Sequence, residues 1–368
     1  MSDRGQAEIF VPAVAEFPQQ LKVKYNLLEK ARNQGFNTGI MLVLLPGGLT
    51  PEKAKLQLDN LEPYLRLPSS ERPSIFAMHP NLPLTGDKRL NFLDNPNWSQ
   101  EYLEQSIDLV AQLPSEFTPA TGKALSFHLN TLIKPKQWVS DEDYWAKAFE
   151  GVLSKVKAVA EFGQRHGVKV AIETLPLTEY GDVAKEEKRL MDDGHTFWAD
   201  LGNPWPLLFW RDEISKLRQA GSKIAIDVCH SFIAIRTVEE VRRLSREGKG
   251  KEALSVYMIH PSDLEKSQTA GSYDQQVLTN TAPGDIWHVS DAKGLYKTPE
   301  LHGEQTHFEE GVALFEGDIP VDTLEKIIKE GLQKDIKFVI ETMEADYSAP
   351  TAPVTERSLN SVLKQSKK

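Results

Sequence analysis

The stretch "KIAIDVCHSF", residues 223–232, decides how the chain is read. Ile224, Ala225 and Ile226 run directly into Asp227, and His230 follows three residues later. A short run that is apolar on both faces fits a strand of a parallel sheet, covered by helices. A carboxylate and an imidazole at such a strand's end point to catalysis or metal binding. A satisfied core pair is the plainer alternative.

The same pattern recurs on both sides of it. Apolar runs stand at "GIMLVLL" (39–45), "SIFAMH" (74–79), "ALSFHL" (124–129), "VKVAIET" (168–174), "DIWHVSDA" (285–292) and "KFVIET" (337–342). With residues 223–230 that makes seven. "AEIFVPAVAE" (7–16) is a weaker eighth, because Pro12 cannot donate to a sheet ladder. Helical patterns fill most gaps. Thr50 and Pro51 open one, and another lies near 99–112. A long one runs from about 141 to 166, with Ser140 as its cap and Gly167 as its stop; its apolar face is Phe149, Val152, Leu153, Val156 and Val159. A further helix covers 321–332. Eight β-then-α units make an α/β fold of the (β/α)8 TIM barrel type, and seven or fewer an open doubly wound sheet. The barrel is the expectation, as a single domain over residues 1–368. The stretches 80–98, 175–208 and 256–284 read as long loops.

Composition narrows the function. Lys and Arg number 43 against 53 Asp and Glu, a net charge of −10, so no broad basic face for nucleic acid is advertised. The one cysteine, Cys229, excludes an intramolecular disulfide and fits a reducing compartment. The N-terminus lacks a signal-peptide pattern, and no apolar run approaches the ~20 residues of a membrane span. A cytoplasmic protein without a membrane partner is expected.

The strand ends carry the chemistry. His79, His128, Glu173, Asp227, His288 and Glu341 fall at or near the ends of six successive runs. In a barrel those ends converge on the face where active sites sit. His230 follows Asp227, and His307 lies in "EQTHFEEG". Each alone reads as a hydrogen-bonded structural residue. Together they would bury several carboxylates and imidazoles, which is costly without a compensating cation. The donor mix suits Zn, Mn, Fe or Co better than Ca or Mg, with one to three ions per chain. His166 suits a helix C-terminus, and His195, His260 and His302 read as surface residues. Asp291 either orients His288, binds substrate or caps a loop. Trp198, Trp205, Trp210 and Trp287 read as core or as pocket wall.

"AIET", "IAIDVCHSF", "WHVSDAKG", "FEGDIP" and "FVIETME" resemble, in order and spacing, the xylose isomerase-like TIM barrel superfamily, which holds endonuclease IV and the sugar isomerases and epimerases. The resemblance spans about residues 70 to 345. It implies a metal held by Glu173, Asp227, His288 and Glu341, with Glu173 and Glu341 shuttling a proton. It places His230, Asp291 and Lys293 against a sugar-like substrate. The endonuclease IV branch instead implies a three-zinc cluster that adds His79, His128, His230 and His307 and cleaves abasic-site DNA. The chain departs from that branch: Gln305 replaces an Asp, and "HPNLPLTG" after the third run has no aromatic. From the epimerase branch it departs at His307, where an arginine is usual. A sugar or sugar-phosphate isomerase or epimerase is the leading expectation. The alternatives are an endonuclease IV-like multi-zinc phosphodiesterase, a metal-dependent oxidase, and a non-catalytic metabolite binder. The sequence leaves substrate, metal and oligomeric state open.

Overall fold

Eight parallel strands close into a barrel in this computed structural model, which describes residues 7–44, 51–79, 92–93, 96–129, 142–175, 205, 207–257, 259–304, 306, 308–344, 349 and 351–367. The barrel strands are β1 (Glu8–Ala13), β2 (Thr38–Val43), β3 (Ser74–His79), β4 (Ala124–Phe127), β5 (Lys169–Glu173), β6 (Lys223–Asp227), β7 (Ile286–Val289) and β10 (Lys337–Ile340). They pair in that order, and β10 closes on β1. The expected (β/α)8 barrel is therefore the fold. Between β7 and β10 the chain adds an antiparallel hairpin of β8 (Asp291–Lys293) and β9 (Glu309–Val312).

Helices cover the outside: α1 (Pro18–Leu27), α2 (Pro51–Leu65), α3 (Pro96–Gln112), α4 (Glu142–Arg165), α5 (Glu213–Gln219), α6 (Val228–Arg246), α7 (Pro261–Thr269), α8 (Tyr273–Thr279), α9 (Val321–Gly331) and α10 (Pro353–Gln365). The long helix α4 ends as its sequence directs. Gly167 adopts φ +70°, and the Val168 amide turns back to the Gly163 carbonyl at 2.8 Å. Among the described residues no helix is long and apolar enough to cross a membrane.

Two sequence expectations need correction. The weak run at 7–16 is a full barrel strand despite Pro12. The Glu8 amide bonds toward β10 and the Ile9 amide toward β2, so by alternation the Pro12 nitrogen faces β10. Pairing with β10 ends at Phe10, so no ladder bond is lost there. The stretch 256–284 is not an open loop, because it holds α7 and α8. Both begin with capping boxes, His260 with Asp263 and Ser272 with Gln275, and Pro261 occupies the first turn of α7.

Strand alternation sorts the core into two layers. Phe10, Met41, Phe76, Met78, Ala124, Ala171, Ala225, Ile286 and Val339 fill the barrel interior. Their neighbours, such as Ile172, Ile226, Trp287 and Phe338, pack outward against the helices. That parity positions the site. Residues two beyond Ala171, Ala225, Ile286 and Val339 also face inward, and they are Glu173, Asp227, His288 and Glu341.

Candidate active site

Four adjacent strands, β5, β6, β7 and β10, each deliver one of these side chains to the C-terminal mouth. One donor atom from each of Glu173, Asp227, His288 and Glu341 can be chosen so that all four lie within 4.8 Å of one another. An ion bound at about 2.0–2.2 Å holds its ligands no more than about 4.4 Å apart. Small side-chain shifts would bring the four donors to that spacing.

Their hydrogen bonding points the same way. His288 is fully buried, and neither ring nitrogen has a hydrogen-bond partner among the described residues. Glu173 Oε2 and Glu341 Oε2 are likewise buried without one. His288 Nδ1 approaches Glu341 Oε2 to 2.6 Å and Glu173 Oε2 to 3.3 Å, but at angles unfit for hydrogen bonds. Buried donors and acceptors that converge without bonding one another are costly unless a cation completes them. The residues present therefore fit a divalent metal.

Asp227 does two jobs. Its Oδ1 accepts the His230 backbone N–H at 2.7 Å and so caps α6, while its own N–H donates to Thr174 Oγ1 at 2.9 Å. The opening of "KIAIDVCHSF" is thus helix cap and cluster member at once.

Two imidazoles flank Glu173. His128 Nε2 lies 3.1 Å from Glu173 Oε2, and His230 Nδ1 lies 3.5 Å from Oε1. His230 has both ring nitrogens engaged. Nδ1 donates to the Thr174 carbonyl at 3.1 Å, and Nε2 meets Glu310 Oε2 at 2.8 Å. Burial alone would raise the Glu173 carboxyl, but the imidazoles of His128 and His288 hold it well below its ordinary range. Burial pushes Asp227 up to about 7, although His230 pulls the other way. Burial would lower His288 and His230, yet the surrounding carboxylates raise both well above the usual imidazole range.

Of the remaining sequence candidates, His79 ends β3, and its side chain and the whole of His307 fall outside the described residues. Asp291 is fully buried, and its carboxylate accepts from the backbone amides of Ala292, Gly317 and Ile319, which fixes the turn before α9. Lys293 is exposed on β8. His260 caps α7, His166 stacks on Phe162, and His302 Nε2 meets Glu240 at 2.8 Å. Trp205 and Trp287 are core, whereas His195 and Trp198 are outside the described residues. Glu310 was missed from sequence. Its signal was the acid pair of "HFEEG" on β9, whose partner strand β8 was concealed because the 285–292 run breaks at Ser290.

No family model matches the chain, and no curated protein matches it. Solved structures do. A D-tagatose 3-epimerase-like protein is 14% identical, covers 98% of this chain and 97% of its own, and superposes with a TM-score of 0.51. A protein from Anabaena variabilis, assigned to the sugar phosphate isomerases/epimerases, is 13% identical over 99% of both chains with a TM-score of 0.50. At such identities the likeness is one of fold. The chain shares the closed (β/α)8 barrel fold of these two proteins.

Proposed function

We propose that the protein is a divalent-metal-dependent isomerase or epimerase acting on a small sugar, sugar phosphate or similar polyol. The observation that carries this reading is the convergence of Glu173, Asp227, His288 and Glu341 from four adjacent strand ends, with buried atoms left unpartnered. These four residues would hold the ion, drawn from Zn, Mn, Fe or Co by donor type. When bound, such an ion polarises adjacent substrate oxygens and acidifies the C–H beside them. One glutamate then takes the proton from carbon as the C–H bond breaks. The other, Glu341 or Glu173, returns a proton to the opposite face for epimerisation or to the neighbouring carbon for isomerisation. His128 lies beside Glu173 and orients it. His230, clamped between Thr174 and Glu310, presents a fixed ring to a substrate hydroxyl. That clamp also supports the isomerase over the multi-zinc phosphodiesterase, which would need His230 as a free ligand.

The test is metal analysis of the purified chain together with a substrate screen of ketoses, sugar phosphates and abasic-site DNA. About one tightly held ion with proton exchange at a sugar carbon supports the reading. Cleavage of the abasic duplex with three zinc ions per chain would replace it with the phosphodiesterase. Iron with oxygen consumption would favour the oxidase. A chain that binds no ion and turns over none of these substrates would sink it.

A further inference from the structure

Among the described residues, a cavity away from the barrel mouth lies on the outer layer, and α6 supplies most of its wall, with α7, α8 and the start of α9 closing it. It holds about 470 Å3 and is lined by Trp210, Phe232, Arg236, Arg242, Tyr273 and Gln276 among others. That volume falls in the range of small-molecule sites. Phe232 and Tyr273 meet edge to face at 5.5 Å, and the Tyr273 hydroxyl donates to the Val228 carbonyl, so this aromatic wall is fixed. Trp210 is fixed too, by donation from Nε1 to Asp263 at 3.1 Å.

Two polar atoms in this lining are buried and have no partner among the described residues: Arg242 Nε, a donor, and Gln276 Oε1, an acceptor. Gln276 is only 4% exposed. Its Nε2 already donates to the Gly271 carbonyl, which fixes the amide. Arg242 is held as well, since its NH2 donates to the Leu264 carbonyl and to Ser267 Oγ. A buried, immobilised donor and acceptor without partners are costly and are completed by a ligand that offers the converse groups. The charges favour an anion. Arg236 and Arg242 face the cavity against the single carboxylate of Glu239, which lies 3.6 Å from Arg236 Nε and is more than half exposed.

We propose that this cavity is a second binding site, for a ring-bearing small-molecule anion that also carries an N–H or O–H donor. The ring lies against Trp210, Phe232 and Tyr273. The carboxylate or similar group answers the two arginines, and the donor answers Gln276. The site is separate from the proposed catalytic mouth, since it is built from the outer helices α6 to α9, though Phe232 lies two residues beyond His230 on α6.

The probe is 8-anilinonaphthalene-1-sulfonate, which combines rings, one anionic group and an N–H, titrated into the full chain. Saturable binding of about one molecule per chain is expected, with emission sensitised by Trp210 and reduced in Trp210→Phe. Arg236→Gln should weaken binding about ten-fold, the size of one lost charge-assisted contact. Thr323→Trp, which fills the cavity from the first turn of α9, should abolish it. Indole-3-acetate should displace the probe and neutral 3-methylindole should not. Circular dichroism and melting confirm that each variant is folded. Binding that is unaffected by both Arg236→Gln and Thr323→Trp, or that indole-3-acetate and 3-methylindole displace equally, overturns the proposal.

Discussion

The two mouths of the barrel both bury charge, and they treat it in opposite ways. At the N-terminal mouth Glu8 is 3% exposed, and both its oxygens are answered. Ser74 Oγ–H donates to one and the Ala120 N–H to the other at 3.1 Å. Lys337 is fully buried there, with Nζ donating to Thr121 Oγ1 and lying 5.7 Å above the Phe76 ring. At the C-terminal mouth His288, Glu173 and Glu341 keep buried atoms without hydrogen bonds among the described residues. Buried ionisable groups with their hydrogen bonds answered are architecture. Converging unsatisfied charge is held in readiness for a ligand that the chain does not supply.

The largest expected effect breaks this contrast at the C-terminal mouth. Glu341→Gln should lower kcat by about 10³-fold if Glu341 transfers a proton, within the range of general acid–base catalysis. The same change removes a negative charge from beside His288 but no hydrogen bond among the described residues, so the chain should stay folded, with some loss of midpoint. A variant with full activity would remove Glu341 from the mechanism. A variant that unfolds would make the top of the barrel architecture like the bottom.

Ion addition comes next. Zn2+, Mn2+ or Co2+ at about 100 times Kd should stabilise the fold by about 2.7 kcal/mol, a rise of a few degrees in Tm. His288→Ala should erase that rise. A melting curve that none of these ions shifts would show that the four donors do not form a metal site.

The N-terminal mouth predicts a pH effect instead. Burial lowers Lys337 to about 7, against a usual lysine value of 10.5. Between those limits the unfolded chain holds a proton that the folded chain releases. Stability attributable to Lys337 therefore rises as pH goes from about 7 to about 10.5, by up to about 1.4 kcal/mol per pH unit. Lys337→Met should be more stable than the wild type near neutral pH, and the gap should close as pH approaches 10.5. Other groups titrate in this window, among them Lys24, lowered by burial to about 8, so the readout is the difference between the two chains in urea titrations. A constant difference across that range would mean Lys337 is charged in the fold.

What the sequence disclosed follows the same division. Period-two alternation and a strand rhythm put Glu173, Asp227, His288 and Glu341 at one mouth, because inward parity and strand end are both local properties. Pro12 weakened the eighth strand's signal because its cost depends on whether a neighbour's carbonyl lies opposite, a matter of register that one strand does not contain. The helices α7 and α8 were legible through His260–Asp263 and Ser272–Gln275, but loop-like composition masked those caps. Asp291 looked like a site residue by motif, yet two of its three acceptor bonds depend on where Gly317 and Ile319 pass, 26 and 28 positions later. Glu310 needed the hairpin, which only tertiary pairing creates.

The smallest expected effect sharpens the role of that hairpin. Thr174 O can only accept, so His230 Nδ1 carries a proton, and Nε2 faces Glu310. Glutamine at 310 can pair with Nε2 in either of its protonation states, accepting through Oε1 or donating through Nε2. Glu310→Gln should therefore keep the ring in place and remove only charge assistance, about 1 kcal/mol. The expected outcome is a change in KM of about five-fold or less with kcat nearly constant. Glu310→Ala, which frees the imidazole, should raise KM further. If Glu310→Gln instead cuts kcat by about 10² or more, Glu310 shares in proton transfer, and the set of working groups at the C-terminal mouth extends onto the β8–β9 hairpin.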